Sequence, residues 1–267
     1  MKYRSLRTAL IIAGITFYAY AGDILLFPAH PKTISAETLP YTQMLHSGFE
    51  GDTFYVRGRF GVDYPCIGYD AGGSSIFLGI NAAAHINMRP SGMLFPVDNF
   101  YAVLAVYFSG MHGLKLSWRF YPVYHLSAHL ADGYPGDILQ DDVRAVSSEM
   151  ARGEIYYKPF GDILELGAGA GYYYHVCAQK NLRYRGDVSV LFTPNRFLNN
   201  MLQPFALLKI ESVHLEKHNP GIDVSAGIIG LNGSRGLGLS LRYFNRLHSS
   251  YYFERYEKGW GVELTFM

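Results

Sequence analysis

An all-β, antiparallel transmembrane β-barrel of twelve strands is the fold this sequence predicts, and three observations carry it. Apolar and polar residues alternate with a period of two in one segment after another, as in a strand with one face in an apolar medium. Several of these segments run to ten or fifteen residues, where about five or six is usual in a soluble sandwich. Of 267 residues, 15% are aromatic, with 22 Tyr among them, and 29 are Gly; that balance suits a lipid-facing wall with interfacial aromatic belts. A soluble β-sandwich also alternates and is the competing fold. The Arg, Lys and Glu on one face, set against Tyr, Phe and Leu on the other, favour the barrel. A net charge of +1 with 17% charged residues gives no nucleic-acid footprint.

Residues 1–21 open with Lys2, Arg4 and Arg7, continue through an apolar stretch from Ala9 to Phe17, and end on Ala19-Tyr20-Ala21. Basic start, short apolar run and small-x-small end make a cleaved signal peptide, and the run is short for a membrane anchor. Residues 22–38 read as an N-terminal arm, periplasmic or plugging, and 39–267 as the barrel. No later stretch is apolar enough for a spanning helix, so a membrane-integral chain must span as a closed barrel. The expected location is the bacterial outer membrane.

Strand parity then sorts the wall. In 53–64, Phe54, Val56, Phe60, Val62 and Tyr64 oppose Thr53, Arg57, Arg59 and Asp63; in 76–88, Ile76, Leu78, Ile80 and Ile86 oppose Asn81, His85 and Asn87. Residues 99–109 are apolar on both sides, so their register is unreadable. In 114–130, Trp118, Phe120, Tyr124, Leu126 and Leu130 oppose Lys115, Ser117, Arg119, His125, Ser127 and His129. In 150–158, Ile155 and Tyr157 oppose Arg152, Glu154 and Lys158; in 162–176, Leu164, Leu166, Tyr172 and Tyr174 oppose Glu165, Gly167, Gly169, Gly171 and His175. Tyr184, Val188, Val190 and Phe192 oppose Arg183, Arg185, Asp187 and Ser189. Leu208 and Ile210 oppose Lys209 and Glu211, and Ile222, Val224 and Ile228 oppose Asp223 and Ser225. Leu237, Leu239, Leu241 and Tyr243 oppose Ser240, Arg242 and Arg246. With 257–267 these make eleven strands. Bacterial barrels of one chain use an even number, with short turns on the periplasmic side. The tight connections 110–113, 159–161 and 232–235 share one side and the long 131–147 falls on the other, which requires one more strand within 38–50. Ten strands is the alternative count.

The last strand sets Trp260, Val262, Leu264 and Phe266 against Gly261, Glu263 and Thr265, and resembles the C-terminal assembly signal of bacterial outer-membrane barrels. It implies the barrel assembly machinery and outer-membrane lipid as partners. Two stretches, Tyr124 to Asp132 and Leu241-Arg242-Tyr243-Phe244-Asn245 with the closing strand, carry a further likeness. They resemble a family of bacterial barrel proteins classed only as a domain of unknown function, over roughly residues 50–267. That resemblance supports the barrel and supplies no activity. Cys66 and Cys177 fall at opposite ends of the wall in this topology, too far apart for a disulfide.

One constellation bears on chemistry. His125, Ser127 and His129 lie on one face of a strand, about 7 Å apart in succession, with Asp132 beyond them. A His-x-Ser pair on a barrel strand resembles the arrangement in outer-membrane phospholipases and lipid A deacylases, where His is general base to a Ser nucleophile. Ser127, His125 and Glu149 are the catalytic candidates, with Glu154 as another acid. Parity argues the other way, because His125 shares its face with Arg119, Ser117 and Lys115 and so reads as lumenal. The favoured reading is a non-enzymatic barrel, structural or a narrow porin-like pore, with a lumenal polar network. Its members are Arg57, Arg59, Arg119, His129, Arg152, Glu154, Glu165, Arg183, Arg185, Asp187 and Arg242. Gly167, Gly169 and Gly171 either bend their strand or leave room for a bulky neighbour, a plug or a solute. No phosphate loop or Cys-x-x-Cys pair appears; no cofactor and no metal is expected, although His125, His129 and Asp132 are of ligand type.

Overall fold

The computed structural model describes residues 23–26, 34–45, 52–70, 73–88, 97–130, 146–177, 182–198, 201–214, 218–232, 235–247 and 256–266. They form one antiparallel sheet of thirteen strands that closes on itself. The strands are β1 (Asp23–Leu26), β2 (Ile34–Leu45), β3 (Asp52–Asp70), β4 (Ser74–Met88), β5 (Val97–His112), β6 (Leu116–Leu130) and β7 (Val146–Tyr157). They continue as β8 (Leu164–Cys177), β9 (Tyr184–Phe192), β10 (Leu202–His214), β11 (His218–Asn232), β12 (Arg235–Leu247) and β13 (Tyr256–Phe266). Each strand from β3 onward pairs with the next. Pairing of β13 with β2, from Phe266 opposite Ala36 to Glu257 opposite Leu45, removes the edges.

The wall has twelve positions, because β1 and β2 share one. β1 lies against Ile67–Asp70 and β2 against Asp52–Val62, both on the side of β3 that β4 leaves open. The twelfth strand expected within 38–50 is therefore β2. The expected arm 22–38 is corrected here: Asp23–Leu26 and the residues from Ile34 onward belong to the wall. The signal segment 1–21, Asp132 and the long connection 131–145 lie outside the described residues.

Side-chain exposure separates two faces. Outward stand Leu104, Val106, Phe108, Trp118, Phe120, Ile155, Val188, Ile210, Leu239, Leu241 and Trp260, all exposed. Inward stand Tyr107, Val213 and Phe244, each fully buried, together with the charged residues Arg152, Glu211 and Asp223. An apolar exterior around a polar interior is the pattern required when the surroundings are lipid. In the closing strand Trp260, Val262 and Leu264 share the exposed face, as the sequence implies; the Phe266 side chain lies outside the described residues.

β5, unreadable from sequence, turns Tyr101, Val103, Ala105 and Tyr107 inward and Leu104, Val106 and Phe108 outward. The hydroxyl end of Tyr107 lies over Gly79 of β4, where any Cβ would meet it. Cys66 is the extra residue of a bulge between Pro65 and Ile67, whereas Cys177 ends β8 at the opposite rim. Both thiols are free.

Candidate functional site

Two sites come out of this frame, one inside the barrel and one on its wall. The interior site begins at β6 and β7. Arg119 of β6 reaches across β5 and β4 to Asp63 of β3, Nη1 to Oδ2 at 2.6 Å, and its guanidinium lies 4.3 Å from the centre of the Tyr107 ring. Arg152 of β7 donates to Glu154 on its own strand at 2.7 Å and to Asp187 of β9 at 2.5 Å. The second bond passes over β8, and glycine makes the passage. A Cβ at Gly169 would stand 2.6 Å from Arg152 Nη2, one at Gly171 would press on Met150, and one at Gly167 would press first on Ser189 of β9 and then on Tyr156. The three glycines thus make room for neighbouring side chains, Gly169 and Gly171 for those of β7 and Gly167 for those of β7 and β9, one of the two readings their spacing allows.

The network continues around the wall. Arg185 pairs with Glu211 at 2.7 Å, and Lys209 stands 3.5 Å from Asp187. Arg242 binds Asp223 through Nε and Nη2 at 2.8 and 2.7 Å and Glu263 at 2.8 Å, and Arg246 joins Asp223 at 2.9 Å. Between β3, β4, β6, β7, β9 and β10 a cavity of about 380 Å³ remains, lined by Asp63, Asn81, Arg119, Tyr124, Arg152 and Lys209 among others. Glu165 lies 3.9 Å from Lys158 near the turn into β8, and Arg183, just before β9, is exposed. Arg57 and Arg59 sit in β3, and His129 in β6 opposite Phe100; their side chains lie outside the described residues.

The second site corrects the expected orientation of His125 and Ser127. β6 carries a bulge: Tyr121 is opposite Arg152 and Tyr124 opposite Met150, so Pro122 and Val123 together face the single residue Ala151. One extra residue exchanges the two faces of everything that follows. Arg119 and Tyr121 point inward below the bulge, and Tyr124 points inward above it, packed on Met150, Tyr173 and Val213. Leu126 packs on the inward Tyr101 and Ala128. His125 and Ser127, and Val123 before them, therefore face out. His125 stands opposite Leu104 of β5, itself well exposed, and opposite Glu149 of β7.

Glu149 and His125 meet on that outer face, Nδ1 to Oε1 at 3.4 Å, each side chain 36% exposed. Ser127 is directly opposite Ser147. A second bulge, in β8, sets Tyr173 opposite Met150 and His175 opposite Glu149, so Tyr174 and His175 both join the outer face. Sequence parity assigned His175 to the lumen and passed over Ser147. Among the described residues no group of His, Cys, Asp and Glu is arranged to hold a metal ion.

No family model and no curated protein matches this sequence, so the likeness of residues 124–132 and 241–267 to the barrel family rests on those residues alone. Solved structures do match. The β domain of the Bordetella autotransporter BrkA superposes with a TM-score of 0.55 at 14% identity, covering 87% of this chain and 96% of that one. Outer membrane phospholipase A from Escherichia coli superposes with a TM-score of 0.53 at 12% identity, covering 89% and 92%. The chain has the fold of the outer-membrane β-barrels. It is an integral barrel with neighbours in the bacterial outer membrane, and at such identities the likeness is one of fold.

Proposed function

We propose that this chain is exported by a cleaved N-terminal signal, is folded into the outer membrane by the barrel assembly machinery, and stands there as a closed barrel that conducts no solute. The carrying observation is how much of the interior is taken up by packed and paired side chains around a cavity of about 380 Å³. Tyr107, Val213 and Phe244 are 2%, 1% and 0% exposed, although all face the lumen. In a water-filled channel the inward residues are solvated; here Asp223, Glu211 and Arg152 are paired and buried instead. A small barrel filled by its own side chains has this character. Export rests on the signal-like residues 1–21, and assembly on the exposed stripe of Trp260, Val262 and Leu264, which Phe266 continues in sequence.

Planar-bilayer recording of the refolded protein tests the closed lumen. Folded protein is expected to insert without steady conductance. Discrete, reproducible single-channel steps from folded protein would overturn the reading and leave a narrow pore in its place.

A further inference from the structure

We propose that the cavity inside the barrel is a binding site for one small oxyanion, a carboxylate or a phosphate, held by Arg152 of β7 and Arg185 of β9. The inference goes beyond the closed lumen and holds whether or not the barrel conducts.

The two arginines stand in one row. Arg152 is opposite Gly171 of β8, and Gly171 is opposite Arg185. Two strand spacings, roughly 10 Å at Cα, separate them, and no side chain stands between. Each has a donor to spare. Arg152 gives Nε to Glu154 and Nη2 to Asp187; its Nη1 is buried with no hydrogen-bond partner among the described residues, in a side chain only 8% exposed. Arg185 gives Nη2 to Glu211, and its Nε is buried and unpaired in the same way. A buried donor of a charged group without an acceptor is costly, and both residues line the one cavity.

The distribution of charge selects the ligand. Among the described residues, Arg119, Arg152, Arg185 and Lys209 line the cavity against Asp63 and Glu154. Asp187 and Glu211 balance these cations from behind and form no part of its lining. A molecule in the cavity therefore meets N–H edges first, and bonds from a guanidinium are strongest to an ionised oxygen. On the facing wall Asp63 Oδ1 is also buried and unpaired, an acceptor for a hydroxyl or amine on the same ligand.

Space and access agree with a small solute. Gly61 of β3 and Ala83 of β4 are opposite one another and line the cavity; these small residues hollow the wall across from the arginines. The resulting 380 Å³ lies near the lower end of small-molecule sites. Toward the long connection 131–145 the lumen is closed by Met150, Tyr173, Leu182 and Val213, packed on one another. Toward the short turns it is solvated, since Arg119 and Lys209 are 27% and 29% exposed. One packed end and one wet end make a cup, which holds a solute without passing it.

Refolded full-length protein in maltoside micelles, at low ionic strength and free of other oxyanions, is titrated calorimetrically with inorganic phosphate and, in a separate arm, with lactate. Methyl lactate, without the charge, is the control. Saturable binding of one anion per barrel is expected in at least one arm, which names the group, and methyl lactate is expected not to bind. Arg152→Lys keeps the charge and removes the spare edge; it is expected to weaken binding on the order of tenfold or more. Ala83→Leu fills the cavity from the opposite wall and is expected to abolish binding. Folding of each variant is read independently from heat-modifiable migration on a gel. Binding of neither anion by folded protein, methyl lactate binding as tightly as either anion, or binding unchanged in either folded variant overturns the site. Conductance is recorded separately on the same preparation, so failure here and failure of the closed lumen are told apart.

Discussion

Replacing Asp223 by Asn keeps the shape of the side chain and removes the charge that two arginines share. Asp223 accepts from Arg242 at 2.8 and 2.7 Å and from Arg246 at 2.9 Å, with only 7% of its side chain exposed. Breaking a buried pair from one side costs about 3–5 kcal/mol, because the partner charges stay behind without compensation. Arg242 keeps its bond to Glu263 at 2.8 Å, which points to the lower end, about 3 kcal/mol. At an urea dependence of about 1–3 kcal/mol per molar, the unfolding midpoint of the refolded barrel falls by about 1–3 M. The exposed pair of Lys158 with Asp162, 2.9 Å long, is the internal control: Lys158→Met is expected to cost no more than about 1 kcal/mol. If Asp223→Asn costs as little as that control, the lumen screens its charges as bulk water does, and the argument for a packed, closed interior fails with it.

Two further perturbations address the wall. Gly169→Ala places a methyl 2.6 Å from Arg152 Nη2, pushing the guanidinium off Asp187; a loss of about 1–3 kcal/mol is expected, and it should largely vanish in an Arg152→Met background, since the two sites share one contact. Equal losses in both backgrounds, read from urea midpoints, would show that the glycine serves the backbone and not Arg152. Deleting Pro122 removes the extra residue of the β6 bulge and restores unbroken alternation from Leu116 to Leu130. Tyr121 stays opposite Arg152 and Tyr124 opposite Met150, so in a Cys66→Ser, Cys177→Ser background carrying Ser127→Cys a membrane-partitioning maleimide is expected to label position 127 readily and to go on labelling it after deletion of Pro122; loss of labelling on deletion would mean that Pro122 is not the extra residue and that position 127 shares the face of Arg119.

Most of the wall is legible in the sequence because its two environments differ so sharply. Where a strand has lipid on one side and an ion-pair network on the other, as β9 does with Val188 and Val190 against Arg185 and Asp187, parity alone assigns the faces. Besides the bulge of β8 that turns His175 outward, three places escape it, each for its own reason. β2 reads weakly because Ser35, Ala36, Glu37 and Thr38 hardly alternate, so its place between β3 and β13 comes from pairing. β5 is apolar on both faces because its inward Tyr101, Val103 and Tyr107 build part of the packed interior.

The third escape is β6, and it decides where His125 and Ser127 sit. Even-numbered residues from Trp118 to Leu130 are mostly apolar throughout, so the pattern seems unbroken, yet the bulge exchanges the faces midway. Above it the apolar Tyr124 and Leu126 go into the barrel and the polar His125 and Ser127 go out. A bulge changes register without changing composition, and Pro122 alone does not announce it, since Pro40, Pro204 and Pro220 lie in paired strands with no shift of register. The result inverts the rule that shapes the rest of the wall, setting an imidazole and a carboxylate where the neighbouring strands set Ile155, Val188 and Leu239. A fold consistent everywhere else breaks its local rules at places where another demand is stronger. Here a short segment breaks one with a bulge in β6 and again with a bulge in β8, and the two together assemble His125, Ser127, Glu149 and His175 on one outer patch. Register shifts also occur at Cys66 in β3 and between Asn87 and Met88 of β4, so a bulge is not by itself the mark of a site; what distinguishes those of β6 and β8 is that together they set His125, Glu149 and His175 on one outer patch, where β9, β10, β11 and β12 keep unshifted alternation.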